Sequence, residues 1–171
     1  HDLGFPGSGI LIWHIDEPEG DIFAGINNDR DNRAISIEEA DGAVDIGYDS
    51  YNPFFDPTTG TRWDFWFQGN DGYYNTNNNL KICRNPENYE VLEEYSSQYQ
   101  CEQNGGDWIK PVIFDKYSNP SSDLNDGTYS FFSFELLDSI SQNIKTVKIK
   151  YESPLDYTDY NFLLDYDIVG S

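Results

Sequence analysis

Apolar residues in this chain come in short bursts, and the period of each burst predicts its element. Ile10-Leu11-Ile12-Trp13-His14-Ile15 is a continuous apolar run set between Gly7-Ser8-Gly9 and Asp16-Glu17-Pro18. Such a run, bounded by turn formers, predicts a strand buried on both faces, with Trp13 and His14 in the core. Ala34 to Glu38 alternates and predicts a second strand, closed by the Asp41-Gly42 turn. Residues 45 to 72 are aromatic and acidic, an irregular loop packed by its own rings with one helical turn near Trp63. Tyr73 to Asn79 is rich in Asn and reads as a turn. Pro86 to Gln98 carries Val91, Leu92 and Tyr95 at helical spacing after an early Pro, so the one short helix is expected there. Trp108 to Phe114 reads as a strand that Pro111 places at an edge. Tyr129 to Leu137 and Ile144 to Tyr151 read as a hairpin around Ser141-Gln142-Asn143.

These pieces predict a mostly β domain, antiparallel and sandwich-like, with long loops and one short helix. The domain is expected over residues 1–153, and Pro154 opens a tail or linker over 154–171. At 171 residues the chain is long enough for one hydrophobic core. No apolar run approaches the roughly 20 residues of a membrane helix, so no membrane insertion is expected. There is no Met, and the chain opens on His1-Asp2 without a signal-peptide pattern. That start suits a mature fragment or a piece of a longer protein.

Charge narrows the partners. Ten basic and 31 acidic side chains give a net charge of −21. Nucleic acids and anionic membrane surfaces are polyanions and are disfavoured by that balance. Cysteine use points to an oxidising compartment. Cys83 and Cys101 flank a polar segment, and a disulfide between them would stabilise it by roughly 3 kcal/mol. The alternative is two free thiols. No CxxC is present, which argues against a thiolate zinc site.

Candidate chemistry follows the oxygens. Asn27, Asp29 and Asp31, with Glu39 and Asp41 after them and Asp64 further on, supply the hard donors that Ca2+ takes six to eight at a time. The spacing is not that of an EF-hand, and a solvated acidic loop is the competing reading. Tyr48, Tyr51, Trp63 and Trp66 lie among acids and amides, a mixture suited to binding glycans. The simpler account of those four rings is core filling. No GxSxG or HExxH occurs. A glycosidase-type carboxylate pair has no specific support.

The run Phe5-Pro6-Gly7-Ser8-Gly9-Ile10-Leu11-Ile12-Trp13-His14-Ile15-Asp16-Glu17 resembles a segment of the M6 family of secreted metalloproteases, the family of immune inhibitor A. Three further pieces agree in order over residues 5 to 151: Asn27 to Asn32, the Ile35 to Gly42 block ending in Glu-Glu-Ala-Asp-Gly, and Trp63-Asp64-Phe65-Trp66. The final strand pair, Phe132 to Tyr151, completes the match. The polar insert from Asn75 to Asp107 departs from the family pattern. The resemblance implies a secreted or cell-surface parent peptidase that binds zinc and calcium. Its catalytic zinc motif would lie upstream, so Zn2+ belongs to the parent and no catalytic residue is assigned here. The resemblance thus implies a non-catalytic, calcium-binding β region that braces the remainder of the parent protease or another extracellular protein. The alternative is a stand-alone extracellular module that binds glycans or builds a surface structure.

Overall fold

The computed structural model describes residues 6–15, 33–47, 60–137, 144–151 and 160–167, with backbone alone at 144, 145 and 160–167. The expectation of a mostly β, antiparallel fold holds. Strands divide among three small sheets. Two are ribbons: β1 (Trp13–Ile15) with β2 (Ile35–Ile37), and β3 (Ile82–Arg84) with β4 (Asp107–Ile109). The third is a four-stranded meander of β5 (Val112–Phe114), β6 (Phe132–Leu136), β7 (Ile144–Tyr151) and β8 (Tyr160–Asp167).

Alternation sets the meander. Phe134 and Leu136 of β6 point into the core beside Val147 of β7. Glu135 pairs in register with Lys148 and Ser133 with Lys150, which keeps the polar partners together. Residues 160–167 fall where a tail was expected, yet they run as β8 and pair with β7 from end to end. The expected hairpin turn at 141–143 lies outside the described residues.

The core is built on rings. Trp66 is fully buried and meets Tyr73, Phe114 and Phe134 at centroid distances of 5.5, 5.1 and 6.2 Å. The tilted and edge-on arrangements suit the ring quadrupoles. Ala40, Val112, Leu136 and Val147 complete the cluster, and Ile10 and Ile12 pack on it from outside.

Four local expectations change. The 10–15 run is not buried on both faces: Ile10 and Ile12 meet the core, while Trp13 and Ile15 are 57% and 68% exposed. His14 is half-buried, with Nδ1 2.8 Å from Glu38 Oε1. The helix expected at 86–98 is absent. There Tyr89 has φ +61° and Val91 bridges Arg84, so the chain doubles back. Two six-residue helices occur instead, α1 (Asp71–Thr76) and α2 (Gln98–Gln103), where Asn70 and Ser97 supply the N-caps. The strand expected over 108–114 splits at Lys110-Pro111 into β4 and β5, which belong to different sheets. The helical turn near Trp63 is present as a 3-10 turn, Arg62–Asp64.

Cys83 and Cys101 form the disulfide, both sulfurs buried. It ties β3 to α2. Arg84, next in the chain, pairs with Glu135 and so fastens this stapled unit to the meander.

Candidate functional site

Three stretches far apart in sequence are knitted beside Trp66. Ile10 and Trp66 exchange two backbone hydrogen bonds of 2.9 Å. The Glu38 N–H donates to Ile12 O at 2.9 Å and the Ala40 N–H to Asp64 O at 3.1 Å. The Trp66 indole N–H donates to Glu38 O at 2.7 Å. Burying the indole therefore fixes the segment that follows β2 beside the 3-10 turn. Glu39 and Asp64 meet at this junction.

Both carboxylates are buried and each closes a loop. Glu39 Oε2 accepts from the Asp45 N–H and Oε1 from the Ile46 N–H, both at 2.9 Å. Asp64 is the third residue of a capping box and accepts from the Thr61 backbone N–H and hydroxyl. The chain around them needs left-handed backbone. Gly60 sits at φ +86°, and a Cβ there would lie 2.5 Å from Asp64 Oδ2 and 3.2 Å from Ile46.

Asp45 completes the group. One carboxylate oxygen each from Glu39, Asp45 and Asp64 lies within 4.8 Å of the others. Burial pushes the Glu39 carboxyl above its ordinary pKa, against the lowering effect of its two backbone donors, and Asp64 and Asp45 add repulsion. Burial likewise raises Asp64, opposed by Thr61, with Asp41 and Asp45 adding to the rise. A carboxylate has about four lone-pair sites, so each hydrogen-bonded oxygen here can still accept. The donor set is all oxygen and anionic, the chemistry of a hard cation such as Ca2+.

The structure brings together Glu39 and Asp64 of the expected ligands. Asp41 is not in the group: its Oδ1 accepts from the Ala43 N–H at 3.0 Å and shapes the turn. Asn27, Asp29 and Asp31 lie outside the described residues, as do Tyr48 and Tyr51. Asp45 was not among the expected ligands. Its signal was a position six residues from Glu39 across a glycine turn.

The two expected glycan-binding tryptophans differ in placement. Trp66 is fully buried and offers no face to a sugar. Trp63 is half-buried, stacked on Phe67 at 6.3 Å, with the Arg62 guanidinium 4.1 Å from its centroid. Among the described residues no helix is long and apolar enough to cross a membrane. Comparison with protein-family models, curated proteins and solved structures finds no match.

Proposed function

We propose that this chain is a non-catalytic, calcium-stabilised β region of a secreted protein, the bracing portion of an M6-like metalloprotease. The observation that carries the reading is the junction of Glu39, Asp45 and Asp64. It is built where the Ile10–Ile15, Ile35–Gly42 and Trp63–Trp66 blocks meet, and these are blocks on which the family resemblance rests. A buried disulfide supports an oxidising compartment.

Glu39, Asp45 and Asp64 would hold the ion. Its charge would offset the repulsion that raises the two buried carboxyls, and would lock the 39–46 loop to the 3-10 turn. No nucleophile or acid–base pair is assigned, so the role is structural.

The test is thermal unfolding with EDTA, with Mg2+ and with Ca2+. A ligand at 100 times its Kd stabilises the fold by about 2.7 kcal/mol. Ca2+ is expected to raise the midpoint of the wild type and to leave Glu39→Gln and Asp64→Asn unmoved. An unchanged wild-type midpoint at millimolar Ca2+ refutes the reading. Sequencing the gene upstream for HExxH tests the parentage separately.

A further inference from the structure

A second site lies outside the acidic junction and needs neither calcium nor the protease parentage. Between α1 and the loop after β5 is a cleft of about 290 Å3. That is at the low end for small-molecule sites. Tyr73 of α1 and Asn77, the residue that caps its C-terminus, build it. The Tyr73 hydroxyl donates to Ile113 O at 2.7 Å and accepts from the Ile113 N–H at 3.0 Å. Asn77 donates to Asn119 O at 2.9 Å and accepts from the Asn119 N–H at 2.8 Å. Each copies the two-bond exchange of an antiparallel strand pair, so the walls are held before any ligand arrives.

The loop is ordered from within. Asp115 Oδ1 accepts from the Tyr117 N–H at 2.8 Å and the Ser118 N–H at 2.9 Å. This turn holds Tyr117 out into water, 82% exposed, although it lines the cleft. The Lys116 ammonium lies 4.9 Å from the Tyr117 ring centroid. At that exposure much of the ring still meets solvent.

The lining chemistry selects a ligand class. It combines phenol rings with the amides of Asn78 and Asn119 and the carboxylate of Asp115. Among the described residues it contains no Lys or Arg. Lys110 and Lys116 border it, and their ammonium groups are engaged, Lys110 with Asn79 Oδ1 at 2.7 Å and over the Tyr74 ring, Lys116 over the Tyr117 and Tyr129 rings. On a chain of charge −21, a lining whose own charge is the Asp115 carboxylate favours a neutral ligand over phosphates, sulfates and uronates. A purely apolar ligand would strip water from the amides without replacing its hydrogen bonds. A neutral sugar offers what remains: C–H faces for a ring and hydroxyls for amides and a carboxylate.

We propose that the α1–Tyr117 cleft binds a neutral carbohydrate chain. Tyr117 stacks on one sugar ring, and Asn78, Asn119 and Asp115 take its hydroxyls.

The experiment is native electrophoresis through gels containing starch, β-glucan, xylan or mannan, with polygalacturonate as the anionic comparison. The wild type should be retarded in at least one neutral gel. Tyr117→Ala should weaken that affinity by about tenfold or more, or about 1.4 kcal/mol. Tyr99→Ala, at another strongly exposed tyrosine outside the cleft, should bind as the wild type does. With an oligosaccharide of the retarding polymer, the Asn78 and Asn119 side-chain amide resonances should shift. The proposal is overturned if no neutral polymer retards the wild type, if Tyr117→Ala binds equally well, or if polygalacturonate binds more tightly.

Discussion

Removing the Cys83–Cys101 disulfide tests how the stapled unit is held. The bond closes a loop with a sequence separation of 18. Loop-closure entropy at that length corresponds to about 3 kcal/mol at room temperature. In Cys83→Ala/Cys101→Ala the midpoint should fall by roughly 6–12 °C, given the size of the chain. Urea unfolding separates two origins of that loss. If the bond acts by restricting the unfolded chain, the variant unfolds to a more expanded state and the m value rises. If the loss comes only from the space the sulfurs leave, m stays the same. Gly106 supplies an internal control. A Cβ at Gly106 would lie 2.6 Å from Cys83 Sγ and 2.9 Å from Cys101 Sγ. Gly106→Ala should therefore be strongly destabilising in the wild type and much less so once both sulfurs are gone, a non-additive pair. A loss below about 1 kcal/mol with m unchanged would refute the loop-closure argument.

Three further outcomes are expected. Trp66→Ala should cost about 3–5 kcal/mol in urea unfolding, while half-buried Trp63→Ala costs less than half as much; equal losses would contradict the placement of Trp66 at the centre. Burial raises the Tyr73 phenol to about 12. Because that exceeds the unfolded value of about 10, stability is lost as pH rises between the two. An ultraviolet titration in which every tyrosine ionises near pH 10 with the fold intact would rule this out. In the metal-free protein, burial holds the folded pKa values of Glu39 and Asp64 above the unfolded ones, so between the two the native state holds extra protons. Their contribution thus falls as pH rises through the folded values, and the midpoint in EDTA should drop with rising pH above the ordinary carboxylate range more steeply than in Glu39→Gln/Asp64→Asn. Equal slopes would count against the buried pair.

The parts of the fold legible in the sequence are those whose pattern is long enough to carry a period. β7, with eight residues, and the alternation through β2 and β6 fall where they were expected. Both helices were missed because six residues are too few for a helical period, and their start signals are single polar caps, Asn70 and Ser97. Val91, Leu92 and Tyr95 have helical spacing by coincidence. The disulfide and the Arg84 bridge impose a different course on that segment. Trp13 shows the limit of reading burial from hydropathy: Ile10 and Ile12, upstream in the same run, take the core contact. At the acidic junction, Glu39 and Asp64 were legible as oxygen donors, but their partnership depends on Trp66 drawing two distant segments of the chain together. The cleft at Tyr117 had no sequence signal, since Tyr73 and Asn77 reach residues 40 and 42 positions away.

The β3–β4 ribbon gives the chain an unusual kind of freedom. Ile82 and Ile109 are paired across it, so the segment between them leaves the body of the fold and returns at one place. Apart from the Arg84–Glu135 pair, its tightest fastening, the disulfide, is to itself. A lineage could lengthen, shorten or replace this excursion without redrawing the meander. An engineer could graft a different loop at the same doorway.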